Sequence, residues 1–167
     1  DYGQFILKSY VLGAAYKKIF ANAEKIGVLL PNSLANAISF FALQYAGKIP
    51  VMLNFSMGIM QFESCIKTVS LRKVISSRKF VEMGKLDNLV AAAEKAGVTI
   101  VYLEDLAGQV SLLTKLKGLK KYFRRETVKL PADKPAVILF TSGSEGLPKA
   151  VVLSHKNIQA NVLQLRL

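Results

Sequence analysis

Residues 135–153 read PAVILFTSGSEGLPKAVVL. An apolar run, Ala136 to Phe140, leads into small hydroxyl and glycine residues from Thr141 to Gly146, then Pro148, Lys149 and a second apolar run, Ala150 to Leu153. This pattern predicts a buried strand that delivers a donor-rich loop to the edge of a sheet, with a cation held at the loop's far end. Gly143 and Gly146 allow backbone N–H groups to turn toward an anion in conformations that a side chain would forbid. The hydroxyls of Thr141, Ser142 and Ser144 add donors, and Lys149 adds a point charge.

Upstream, apolar runs alternate with helical periodicity. A helix is expected over Tyr2 to Asn22, packed on a sheet, and a strand over Ile26 to Leu30. Pro31-Asn32-Ser33 then supplies turn and cap chemistry for a helix through Leu34, Ala37, Ile38, Phe41, Ala42 and Tyr45, which Gly47 ends. Further strands are expected at Ile49 to Leu53, Lys73 to Ser76 and Val98 to Leu103, separated by helices over Gly58 to Ser70 and Leu86 to Ala96. Such alternation predicts an α/β fold, a mainly parallel sheet flanked by helices.

Residues 111–125 differ in kind. From Leu112 to Arg125 the wheel places Leu112, Leu116, Leu119 and Phe123 on one narrow face and Lys117, Lys120, Lys121, Arg124 and Arg125 on the other. This basic amphipathic helix reads either as a solvated surface helix or as a docking face for a membrane or an acidic protein. No helix-turn-helix, zinc or RNP signature accompanies the charge, so nucleic acid is not an expected partner.

The 167 residues fit one domain, with an alternating region over 1–126, an irregular connection over 127–135, and strand, loop, strand and helix over 136–167. The 23 Lys and Arg against 11 Asp and Glu give a net charge of +12, which favours an anionic partner. Lone Cys65 leaves no disulfide framework or cysteine metal cluster, and lone His155 argues against sites that need several histidines. Charges interrupt every apolar run before the roughly 18 residues of a membrane span are reached. No basic-then-apolar leader opens the chain, and the last residues read as an unfinished helix, so the expectation is an excised piece of something longer.

Spacing separates the phosphate loops that compete for residues 141–149. A Walker loop needs Gly-Lys-Ser/Thr opening a helix, whereas Pro148 precedes Lys149 and a β-like run follows. The dinucleotide fingerprint lacks its third glycine, and a nucleophile elbow lacks a glycine two residues before Ser144. The order that fits, Thr141-Ser142-Gly143-Ser144-Glu145-Gly146-Leu147-Pro148-Lys149, resembles the ATP phosphate loop of the adenylate-forming superfamily of acyl-CoA ligases, luciferases and adenylation domains. Leu153-Ser154-His155-Lys156-Asn157 is similar to the strand exit and helix start that follow it, with Ser154 as N-cap. Ile26 to Asn32 and Ala46 to Pro50 are similar to stretches near the start of such ligases. Pro50-Val51-Met52-Leu53-Asn54-Phe55, Ser76-Ser77-Arg78-Lys79-Phe80 and Glu145 resemble, more narrowly, the bifunctional bacterial acyl-ACP synthetase and 2-acylglycerophosphoethanolamine acyltransferase subgroup. Ala150 departs from the glycine usual after the lysine, and its methyl group either crowds the loop's approach to phosphate or is simply tolerated.

The resemblance implies that a fatty acid carboxylate attacks the α-phosphate of ATP, giving acyl-adenylate and pyrophosphate, before a thiol takes the acyl group. It assigns Thr141, Ser142, Gly143, Ser144, Glu145, Gly146 and Lys149 to ATP binding, with Mg²⁺ ligands and the catalytic lysine expected outside these residues. The fold implied is the incomplete N-terminal part of a large domain, inactive by itself. Acyl carrier protein is the implied acceptor and the cytoplasmic side of the inner membrane the implied location, with Lys117, Lys120, Lys121, Arg124 and Arg125 facing either partner. A reading from another class is a non-catalytic basic binding module.

Overall fold

The computed structural model describes residues 1–109, 112–124, 130–141 and 147–165. The elements run α1 (Tyr2–Ile19), β1 (Lys25–Val28), α2 (Leu34–Tyr45), β2 (Ile49–Met52), α3 (Ile59–Thr68), β3 (Lys73–Ser76), α4 (Arg78–Gly84), α5 (Asp87–Lys95) and β4 (Thr99–Tyr102), then α6 (Leu103–Gln109), α7 (Leu112–Phe123), β5 (Pro135–Thr141), β6 (Lys149–Ser154) and α8 (His155–Gln164). The six strands form one sheet in the order β4-β3-β1-β2-β5-β6, parallel throughout except for the antiparallel β5–β6 pair. The sheet is therefore mainly parallel and flanked by helices, as the alternation predicts.

Its central strands are apolar on both faces because helices cover both. Ile26, Val28 and Leu30 enter a core with Tyr16, Phe20, Ala42, Leu43 and Ile75, beneath α1 and α2. Leu29, Val51 and Val74 enter the opposite core with Phe62, Ile66, Leu89 and Ala93, beneath α3 and α5. Gly27 has no room for a side chain: a Cβ there would lie 2.6 Å from a Val74 methyl and 2.8 Å from Leu71.

Local chemistry sets the element ends. Ser33 caps α2 by accepting from the Asn36 N–H, and Gly47, at φ +70°, takes the left-handed turn that ends it. Ser154 caps α8 by accepting from the Asn157 N–H, as expected.

The structure corrects four sequence expectations. The first helix stops at Ile19 and not at Asn22, and only its C-terminal part, through Tyr16 and Phe20, reaches the core; the rest lies along α2 and α7. Between β3 and α5 the chain makes an additional helix, α4, because Ser77 accepts from the Phe80 N–H and caps a turn there. The β4 strand ends at Tyr102 and passes straight into α6. The fourth correction concerns α7. Leu116 and Phe123, which the reading as a solvated surface helix would turn inward, are 52% and 73% exposed, and Gly118 is buried instead. A Cβ on Gly118 would come within 2.7 Å of the Val11 backbone, so α7 lies on α1 at a distance that only glycine permits.

Cys65 sits inside the α3 core, its thiol toward Met57 Sδ at 3.8 Å. Burial pushes that thiol up to about 11 from 9.0. The folded state therefore favours the neutral thiol, a contribution fully present below pH 9 and lost as pH rises toward 11. At pH 8 the folded chain should carry roughly a hundredth of an ordinary thiol's thiolate. N-ethylmaleimide is expected to label Cys65 only as fast as the fold opens, and prompt labelling of folded protein at pH 8 would contradict this burial.

Candidate active site at the carboxyl edge of the sheet

Strand β5 is parallel to β2, with Val51 opposite Ile138, so Thr141 leaves the sheet at the edge where β1, β3 and β4 also end. Ala136, Val137 and Ile138 anchor the strand in the interior, and Gln44 Nε2 donates to the Ala136 carbonyl, tying β5 to α2. The hairpin brings the ends of the candidate phosphate loop together. Thr141 pairs with Lys149 across the two strands, and Phe140 pairs with Ala150.

Directly opposed residues point to the same face of a sheet, and successive ones alternate. Phe140 and Ala150 pack against the α3 core, which places Thr141 and Lys149 on the other face, where both are exposed. Ala150 therefore has a packing role. Its methyl covers the same core as Phe140, on the face away from the Lys149 side chain, which favours the tolerated substitution over the crowding one.

Of the loop residues named from sequence, Thr141 and Lys149 meet at the hairpin mouth, followed inward by exposed Leu147 and half-buried Pro148. Ser142, Gly143, Ser144, Glu145 and Gly146 lie outside the described residues. The lone histidine belongs elsewhere. His155 N–H donates to the Lys134 carbonyl beside Pro135, so seven-residue β5 separates it from the loop, about 20 Å at strand spacing.

The same edge holds a cavity of about 650 Å³ that sequence reasoning did not anticipate. Strand β1 exits toward α2 over one core and β3 exits toward α4 and α5 over the other, which opens a crevice between two adjacent strand ends. Leu30, Pro31, Phe80, Met83 and Leu103 give it apolar walls, and Lys79 and Glu104 stand among its polar groups. Next to it Ser76 Oγ donates to the Leu29 carbonyl at 2.9 Å and ties the end of β3 to the chain leaving β1. Ser77 Oγ donates to Glu104 Oε1 at 2.7 Å. Burial alone would raise Glu104, but the Ser77 hydroxyl and the Arg78 and Lys79 backbone N–H groups outweigh it and hold the carboxyl below its ordinary value. Beside it Arg78 grips Asp105 through two hydrogen bonds of 2.5 and 2.8 Å and lies 4.3 Å from the centre of the Tyr102 ring. These hydrogen bonds hold Asp105 low and Arg78 high. Three strand exits far apart in sequence build this wall, which is why no single motif announced it.

The residues proposed for partner docking also divide. Lys120 and Arg124 are exposed, whereas Lys121 is half-buried with its Nζ 5.3 Å from the Tyr45 ring centre. The Lys117 side chain and Arg125 lie outside the described residues.

Fold and loop composition together define a layered α/β domain with a polar glycine-containing hairpin loop at the carboxyl edge of a mainly parallel sheet. Residues 17–167 match the model of the AMP-binding enzyme family, and the chain belongs to that family. It is 28% identical over 146 residues to a 4-chlorobenzoate–CoA ligase of an Arthrobacter species, covering 84% of this chain and 25% of that protein. Its fold is similar to the crystal structure of a benzoate CoA ligase from Burkholderia xenovorans LB400, with a TM-score of 0.69, 20% identity, and 96% of this chain and 30% of that one covered. It is also similar to ATP-bound MatB from Rhodopseudomonas palustris, with a TM-score of 0.65, 22% identity, and 95% of this chain and 31% of that one covered. The chain thus spans about a quarter to a third of the length of the proteins it matches.

Proposed function

We propose that this chain is part of an ATP-dependent ligase that activates a fatty acid as its acyl-adenylate and passes the acyl group to acyl carrier protein. That acyl group would serve lysophospholipid reacylation on the cytoplasmic side of the inner membrane. The observation that carries the adenylation step is the Thr141–Lys149 pair at the mouth of the β5–β6 hairpin. It sets a hydroxyl donor and an ammonium side by side at the base of a loop rich in glycine and serine, where a polyphosphate would be gripped from both ends.

In this reading Thr141, Ser142, Gly143, Ser144 and Gly146 cradle the phosphates and Lys149 faces the terminal ones. Pyrophosphate is the leaving group, so donors along it stabilise charge as it develops in the transition state. A carboxylate at Glu145 would repel polyphosphate unless it points outward, pairs with a base or faces a cation. Magnesium binds through oxygen ligands, usually one or two carboxylates with phosphates. The described hairpin stem offers a hydroxyl and a lysine, and among the described residues no group of three His, Cys, Asp or Glu side chains could hold a metal. The stem does not fit the ion, and no step is routed through it.

Support for the narrower acceptor comes from the resemblance of residues 50–55, 76–80 and Glu145 to acyl-ACP synthetases. The test is fatty-acid-dependent exchange of pyrophosphate into ATP by the full-length protein, followed by acyl transfer offered to holo-acyl carrier protein or coenzyme A. Exchange with transfer to the carrier protein is expected. Exchange with transfer to coenzyme A alone would keep adenylation and reject the carrier. ATP binding without any exchange would leave the binding-module reading in its place.

A further inference from the structure

We infer that the outer face of α7 is a docking surface for a bilayer containing anionic phospholipid. This deepens the membrane-side reading above and does not depend on the adenylation chemistry.

At 100° per residue, Leu116, Lys120, Phe123 and Arg124 fall within a stripe about 100° wide. That stripe lies opposite the side on which Gly118 and Tyr122 meet α1. Leu116 and Phe123 are more than half exposed, and Lys120 and Arg124 are exposed beside them. Two large apolar side chains interleaved with two cations fit a lipid interface, where the apolar groups enter the acyl boundary and the cations remain among the phosphates.

Exposed aromatic side chains also stand on α1, against which α7 packs, and on α2, which packs on α1. Phe123 meets Tyr122 with ring centres 5.6 Å apart, and the Tyr122 hydroxyl reaches Gly3 at the start of α1. Tyr2, 77% exposed, stacks on Phe5, whose ring meets exposed Phe41 of α2 edge-on at 5.4 Å. Exposed tyrosines such as Tyr2 settle at the headgroup level of a membrane.

The charge around the patch selects the occupant. Helices α1, α2 and α7 contain no Asp or Glu between Tyr2 and Ile19, Leu34 and Tyr45, or Leu112 and Phe123, and Asp1 is engaged as the cap of α1. An anionic surface meets no repulsion from these helices. Among the described residues no helix is long and apolar enough to cross a membrane.

The test is flotation of the full-length protein with vesicles of phosphatidylcholine alone or with about a third phosphatidylglycerol. Binding is expected only with the anionic vesicles and should fall sharply at 0.5 M salt. Lys120→Gln with Arg124→Gln should weaken partitioning about 30-fold, from the usual contribution of each cation near a charged membrane. Leu116→Ser with Phe123→Ser should weaken it by about tenfold or more and leave the salt dependence in place. All four side chains are exposed, so melting temperature and pyrophosphate exchange should be unchanged and report that the fold survives. Equal binding to neutral vesicles, unaltered binding by both double variants, or binding to acidic protein alone would overturn the assignment.

Discussion

Lys149→Ala is expected to slow ATP–pyrophosphate exchange by roughly 10- to 150-fold, the loss that follows from removing one charge-assisted hydrogen bond to phosphate. The residue starts β6 opposite Thr141 and is exposed, so its removal leaves no cavity and no buried partner without a bond. Thermal unfolding should therefore not change. Charge on pyrophosphate grows as the α-phosphate is attacked, so the loss should appear mainly in kcat and less in the KM for ATP. Lys149→Arg restores the charge but presents a planar fork in place of a compact ammonium, and it should recover only part of the rate. Exchange within twofold of the parent by Lys149→Ala would remove the lysine from the phosphate site.

Parts of this design were legible because each rests on a local pattern. Parallel strands covered on both faces read as short apolar stretches, and β3 occupies the residues expected for it, Lys73–Ser76, around the apolar pair Val74 and Ile75. The hairpin loop declared itself through residue types at fixed offsets. What escaped depends on partners distant in sequence. Helix α4 buries only Val81 among its seven residues, so its charges at Arg78, Lys79 and Glu82 masked it until the Ser77 cap was seen. Helix α7 was legible as an element, but the face it packs was not. Periodicity seeks large apolar residues, whereas close helix approach needs a small one, and Gly118 supplied it against Val11. Lys121 was counted as a free docking charge, yet Tyr45, 76 positions earlier in the chain, lies under it. The crevice joins Leu30, Ser77 and Leu103 only after β1, β3 and β4 are ordered in the sheet.

Phe62→Ala should have the largest effect on stability, about 3–5 kcal/mol, and should do so without touching the loop. Phe62, Cys65, Ile66 and Val69 recur at helical spacing along α3 and its end, and all four are buried, whereas Ile59 and Met60 face outward. Phe62 is fully buried in a core that gathers Val51 from β2, Val74 from β3, Ile138 from β5 and Leu89 and Ala93 from α5. Its neighbours belong to strands fixed by pairing on both sides, which limits how far they can close over the space left behind. The hairpin shares this core through Phe140 and Ala150, so the defect reaches the stem of the phosphate loop once the fold begins to loosen. Two variants should consequently separate two roles. Phe62→Ala should keep near-normal exchange at low temperature and lose it on warming as the protein melts, while Lys149→Ala should melt normally and exchange poorly at every temperature. Urea unfolding followed by circular dichroism should show a lower midpoint for Phe62→Ala with an unchanged slope. A loss below about 1 kcal/mol, far under the range for a well-packed phenylalanine, would mean that this core closes over the gap and that α3 does not hold the hairpin in place.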